Sequence, residues 1–173
     1  MHPNSNPESA SGAPSSTARQ DVYIRPATRD DIPFIEESSE LVEATGAPHW
    51  RQDGPSPYTT DWIEHLIANA PADQVLLIAE DQQQQRLGYT WVLSLVDFDT
   101  IDPHGHIAGV GVAPEAEGRG IGSLLVAAAE DWCRDRGLRE VTLHCYIANE
   151  RAHRLYERLG FEDEWHHMRK ALD

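Results

Sequence analysis

The stretch GVGVAPEAEGRGIGSLLVAAAE, residues 109–130, constrains the fold more than any other part of the chain. It sets an apolar strand-like run, a loop with glycines at 118, 120 and 122, and an alanine-rich amphipathic segment in direct succession. The pattern predicts a strand over 106–114, stopped by Pro114, and a helix from Ile121 to Arg136. Ile121, Leu124, Leu125, Ala128 and Trp132 share one face of that helix, and Gly137 ends it. Bare backbone between a strand and a helix leaves room for a ligand against the peptide. The first N–H groups of a helix have no internal partner and attract anions.

Three ligand chemistries use a strand, a glycine loop and a helix. A Walker-type phosphate loop needs GxxxxGK[ST], and EGRGIGS (117–123) has no lysine there. A dinucleotide fold needs GxGxxG after the first strand of a βαβ unit, whereas this loop reads GxGxG and comes late in the chain. A pyrophosphate held by backbone N–H groups fits better. Gly118, Gly120 and Gly122 permit close approach, Arg119 adds charge, and Ser123 donates a hydrogen bond near Ile121 at the helix start. A tight structural turn is the alternative for the loop taken alone.

The flanking sequence places this unit in a mixed α/β order. VYIRP (22–26) reads as a strand. A helix follows, begun by Thr28 and ended by Gly46, with Ile32, Ile35 and Leu41 among its apolar positions. Residues 47–57 are turn-rich. Trp62, Leu66 and Ile67 mark a second helix capped by Thr60 or Thr59. Residues 74–80 and 87–98 form a hairpin, 138–147 another strand, and Asn149 caps a helix carrying Ala152, Leu155, Tyr156 and Leu159 that Gly160 ends. Residues 161–172 supply a last strand or two. Residues 1–20, rich in Ser, Pro, Asn and Ala and without an apolar core, read as a disordered tail before a single domain over 21–173.

Charge and cysteine content narrow the function classes. The formal net charge is −15, with 17 acids against 4 bases in 21–116 and 11 against 9 in 117–173. Such a chain repels nucleic acid and anionic membranes and favours cationic partners, although a solvated acidic surface serves solubility equally. Cys133 and Cys145 are too few for a disulfide framework and are not in CxxC spacing, so they read as reduced thiols of a cytoplasmic protein. The histidines of HGH (104–106) lack the i,i+4 helical spacing of a metal motif, so no metal is expected.

EGRGIG, with Val110-Gly111-Val112 before it and NERAHRLYERLGF (149–161) after it, resembles the GCN5-related N-acetyltransferase superfamily. That signature is a V-x-V strand, [QR]xxGx[GA], and about thirty residues later an Asn-x-x-Ala helix leading to Leu-Tyr-x-x-x-Gly-Phe. The match spans roughly residues 22–172, and the element order agrees. One departure is Glu117, where the family prefers Gln or Arg. The resemblance implies a mostly antiparallel mixed sheet flanked by helices, and acetyl-coenzyme A as donor. Its pyrophosphate would lie on 118–123 and its pantetheine arm along the edge of Val110, Gly111 and Val112, with Asn149 contacting the pantetheine or capping its helix.

Acetyl transfer to an amine needs a deprotonated nucleophile, a stabilised carbonyl oxygen and a protonated leaving thiolate. Tyr156 matches the family tyrosine and is the expected acid toward the thiolate. The Val112 N–H is the expected oxyanion donor. His106 stands at the offset from the loop where some family members place a catalytic glutamate, so it is the expected base. His104, His144, His166, His167 and a water chain are its rivals. The acceptor is expected to be a primary amine, a small cationic one or a peptide N-terminus, bound by residues 28–70. The acceptor's identity stays open, as does the choice between monomer and homodimer. A non-catalytic acyl-coenzyme A-binding module on the same fold is the alternative function, and a nucleotide-binding protein a third.

Overall fold

The computed structural model describes residues 21–45, 59–69, 71–96, 101–168 and 170. The expected tail over 1–20 and the turn-rich stretch 47–57 lie outside them. Four strands pair antiparallel in chain order: β1 (Val22–Pro26), β2 (Gln74–Asp81), β3 (Arg86–Val96) and β4 (Pro103–Val112). A fifth, β5 (Val141–Leu143), lies parallel to β4. The chain crosses over through α3 (Ile121–Asp135) between β4 and β5, the kind of long connection that a parallel pair requires. The result is the mixed, mostly antiparallel α/β sheet that the sequence predicts.

Side-chain alternation gives each strand two working faces. One face packs Leu76, Ile78 and Tyr89 against Ile32 and Ile35 of α1 (Ile32–Ala44) and Ile63 and Leu66 of α2 (Thr60–Asn69). The other packs Ala79 and Leu87 against Ile121 and Leu125, and Val92 and Ile107 against Val126, Ala129, Trp132 and Cys133 of α3. Leu159 and Phe161, at and beyond the end of α4 (Glu150–Arg158), flank the same cluster.

Several boundaries differ from the sequence expectation. Thr28 is followed by a single 3₁₀ turn (Arg29–Asp31) before α1, because Pro33 in the first turn of α1 allows only a fresh start there. Thr59 is the cap of the second helix, its Oγ1 accepting from Trp62 N at 3.4 Å. Ala129 rather than Ala128 faces the sheet from α3. The strand expected over 138–147 is only three residues long. Residues 144–149 bend away, with Asn149 N donating to Tyr146 O at 2.8 Å. Among the described residues no strand follows α4, so the expected final strand is absent from them. Trp165 nevertheless lies beside β5's continuation, its ring 5.7 Å from that of His144.

A buried carboxylate ties β1, α1 and β3 together. Asp31 is 0 % exposed. It accepts from Arg25 at 2.7 and 3.0 Å, Arg86 Nε at 2.6 Å, Thr28 N at 2.7 Å and Thr28 Oγ1 at 2.9 Å. Burial alone would raise its pKa, but the bonds from Arg25, Thr28 and Arg86 outweigh that and hold it well below the usual carboxylate range.

Candidate active site

The gap beside β4 comes from the shortness of β5. β5 pairs with β4 only at Gly105, His106 and Ile107. Beyond Ala108, β4 keeps β3 on one side and, among the described residues, has no strand on the other. Ala113 N donates to Leu87 O at 3.0 Å across the β3 side. Alternation along the strand therefore turns the N–H groups of Val112 and Val110 toward the open edge. Gly111 is dictated by packing: a β-carbon there would sit 2.3 Å from the Tyr89 ring.

At the end of that edge the chain enters the glycine loop. Gly118 and Gly120 hold φ of +74° and +83°, where L side chains are strained, and a β-carbon at either would meet nothing within 4 Å. Gly120 is the N-cap residue of α3 and supplies no side-chain cap. Among the described residues the N–H groups of Gly120, Ile121, Gly122 and Ser123 have no acceptor. Four unpaired donors at the positive end of a fifteen-residue helix, fronted by open space, form an anion cradle. Arg119 is exposed beside it. Glu117, the residue before the loop, pairs with Arg151 at 2.6 Å. Gly122 lets α4 close in, since a β-carbon there would lie 3.1 Å from Leu155.

The expected acid and base sit on opposite faces of the sheet. Tyr156 packs on the cluster of Ile107, Val126 and Trp132, with its ring 5.7 Å from Phe161. Its hydroxyl has no hydrogen-bond partner among the described residues. Burial, with the nearby Cys145 second, pushes its pKa up to about 12, so the phenol keeps its proton throughout the working range. Gly105 and Ile107 point toward α3, where a β-carbon on Gly105 would strike Cys133 Sγ. His106 therefore points to the face of α1 and α2. Its Nδ1 lies 2.8 Å from Thr142 Oγ1, and that hydroxyl donates to Gly105 O at 3.4 Å. A hydroxyl already donating must accept from Nδ1–H, which leaves Nε2 as an acceptor. Burial first, then His144 and His104, push the His106 pKa down to about 4. His106 is 9 % exposed and neutral at neutral pH.

Of the rival histidines, His144 is the near one, its ring 4.8 Å from that of His106. His104 also faces this group, and its Nδ1 is buried without a partner. His166 and His167 are exposed on the C-terminal segment. Asn149 spends its Oδ1 on capping α4 through Ala152 N at 3.2 Å. Among the described residues no three His, Cys, Asp or Glu side chains converge as metal ligands, and no helix is long and apolar enough to cross a membrane.

A family model described as the acetyltransferase (GNAT) family matches residues 39–161. The chain belongs to the GNAT family. The mycothiol acetyltransferase of Rhodococcus jostii (strain RHA1) is 30 % identical over 136 residues, covering 74 % of this chain and 43 % of that protein. The chain thus spans less than half the length of the curated relatives it matches. A tetramutant of the BH1408 protein from Bacillus halodurans superposes with a TM-score of 0.74 at 20 % identity, covering 87 % of this chain and 99 % of the other. Glucosamine-6-phosphate N-acetyltransferase from Arabidopsis thaliana superposes with a TM-score of 0.65 at 22 % identity, covering 89 % and 100 %. These two likenesses concern the fold.

Three side chains of this GNAT site escaped the sequence reading. Thr142 orients His106, and the only available signal was their shared register on neighbouring strands. Cys145 lies near Tyr156 because residues 144–149 bend, which no local pattern announced. Arg151 neutralises the unusual Glu117, a pairing between segments 34 positions apart that only the fold brings together.

Proposed function

We propose that this GNAT protein is an acetyl-coenzyme A-dependent N-acetyltransferase that moves the acetyl group directly to a primary amine in a ternary complex. The observation that carries the reading is one continuous surface: the unpaired N–H edge of Val110 and Val112 running into the four unpaired N–H groups of Gly120–Ser123. An extended pantetheine complements the first as an added strand would, and a pyrophosphate complements the second. The open space in front of Gly118 and Gly120 is where the phosphates would come to rest.

Bound acetyl-coenzyme A would supply an activated thioester. The residues around the gap divide the remaining work. The N–H of Val112, with that of Val110 on the same edge, donates to the carbonyl oxygen as it gains charge. The Tyr156 Oη proton is available to the departing sulfur from the α3 and α4 face. His106 Nε2 accepts a proton from the amine on the opposite face, with Thr142 fixing its tautomer. This division of roles requires the acetyl group to lie beside β4 beyond Ala108, where no described strand pairs with it and both faces can be reached. A base with a pKa of about 4 is never blocked by its own proton near neutrality, so the ionisation of the amine governs the rise of activity with pH.

The acceptor we favour is cationic. Glu37, Glu40, Asp61 and Glu64 are exposed on α1 and α2, the helices that cover the face of His106. Mycothiol-related amines belong in any acceptor panel because of the relatives' name. The test is release of free thiol from acetyl-coenzyme A across a panel of polyamines, aminoglycosides, amino acids, mycothiol-related amines and peptides, with the acetylated product identified by mass spectrometry. Amine-dependent thiol release with matching product supports the reading. Tight binding of acetyl-coenzyme A without turnover on any amine would favour the non-catalytic binding module instead.

A further inference from the structure

Glu117 immediately precedes the glycine loop at the position where the family prefers Gln or Arg. A carboxylate there opposes any phosphate bound over the loop. It does not stand alone, because Arg151 Nη1 is 2.6 Å from Glu117 Oε2. Arg151 lies one turn before Leu155 on α4, and Leu155 is the residue that meets Gly122 in the first turn of α3. The ion pair therefore links the residue that opens the glycine loop to the first turn of α4, the helix that meets the start of α3 at Gly122. Both side chains are open to solvent, 64 % for Arg151 and 47 % for Glu117, and an exposed pair of this kind adds little to stability. The geometry does more for a ligand than for the fold. A guanidinium binds phosphate in the same forked manner as it binds a carboxylate, and the exchange needs only a side-chain rotation.

We propose that Arg151 is a ligand for a phosphate of coenzyme A, held ready by Glu117, so that cofactor binding exchanges a carboxylate for a phosphate on one guanidinium. The inference rests on the reading that coenzyme A binds over 118–123. Glu117 acts as an internal stand-in anion. It keeps Arg151 beside the loop in the free protein and lowers cofactor affinity both by competing for the guanidinium and by repelling the phosphates. The two effects have the same sign.

Calorimetric titration of coenzyme A into the wild type, Arg151→Gln, Glu117→Gln and the double variant tests this. Arg151→Gln should raise Kd ~5–10-fold, Glu117→Gln should lower it ~3-fold, and the benefit of Glu117→Gln should shrink below ~2-fold once Arg151 is gone, as coupled groups do in a double-mutant cycle. Acetyl-pantetheine, which has no phosphate, should be used equally well by the wild type and Arg151→Gln. Dephospho-coenzyme A locates the phosphate. A persisting loss with Arg151→Gln assigns the pyrophosphate, and a vanished one assigns the ribose phosphate. An unchanged Kd in Arg151→Gln, or an equal loss toward acetyl-pantetheine, overturns the proposal while leaving the acetyl-coenzyme A reading intact. A wild type that does not bind coenzyme A sinks both.

Discussion

Tyr156 and His106 carry most of the proposed chemistry at the scale of single residues. Tyr156 is both a packing group and the expected acid, and one substitution separates the roles. Tyr156→Phe keeps the ring contact with Phe161 and removes only the oxygen. It should lower kcat ~10²-fold or more while leaving the Kd for acetyl-coenzyme A within about 2-fold, since a proton donor acts chiefly in the transition state. Full turnover in the Phe variant, with chemistry rate-limiting, would return Tyr156 to packing alone. His106 makes a prediction that needs no substrate. An unfolded histidine titrates near ~6.5, while His106 is held near 4 beside His144 and His104. Between those values the unfolded chain binds the proton that the folded chain refuses. Stability contributed by the neutral ring is thus complete above ~6.5 and falls as pH drops toward 4, by roughly 3 kcal/mol in all. Urea unfolding of His106→Gln against the wild type at pH 7 and pH 4.5 should show a smaller pH loss in the variant. Equal losses would mean that His106 does not resist protonation.

The Asp31 node and the β4 gap matter at the scale of elements. Asp31 joins β1, the start of α1 and β3 through Arg25, Thr28 and Arg86. Asp31→Asn would leave Arg25 and Arg86, both partly exposed, facing a neutral amide, with Arg25 still paired to Glu80 at 2.8 Å. Weakening the charge-assisted bonds of the buried carboxylate should cost about 1.5–3 kcal/mol, a loss that chemical denaturation reads. A loss under ~1 kcal/mol would show that water satisfies Arg25 and Arg86 instead. The glycine loop and α3 were legible in the sequence because each part has its own local signal: Pro114 as a stop, glycines at left-handed positions, and an apolar stripe of helical period. The gap was not legible. LREVTLHCYI reads as one long strand, and only the turn from His144 to Asn149 shortens it to three residues. The Asp31 node was equally hidden, because Arg86 is 55 positions away and nothing in Thr28-Arg29-Asp30-Asp31 names its partner.

The whole molecule is acidic, and the imbalance is lopsided. The segment that builds α1, α2 and the hairpin holds most of the excess, whereas the segment with the anion cradle is nearly balanced. Attraction of a cationic acceptor toward the face of α1 and α2 should make kcat/KM for a polyamine or aminoglycoside fall steeply with added salt, because the Debye length shrinks from about 30 Å at 0.01 M to ~10 Å at 0.1 M. A salt-independent kcat/KM, or a preference for neutral or anionic amino compounds, would leave the acidic surface as a matter of solubility. Which amine is used was not readable from the chain. The acceptor side that we propose, α1, α2 and the end of β4, presents exposed residues that obey no shared motif. The proposed cofactor side, in contrast, is made of main-chain donors whose glycines can be seen directly.

The central claim is that coenzyme A phosphates rest on the main-chain N–H groups at the start of α3. At 19.4 kDa the protein suits amide-resolved NMR. Titrating coenzyme A into the ¹⁵N-labelled wild type reads those groups without altering a residue. The account predicts saturable binding with the largest amide shifts at Gly120, Ile121, Gly122 and Ser123, continuing along the open edge at Val110 and Val112. Saturable binding that leaves these amides unmoved while shifting another surface would contradict it.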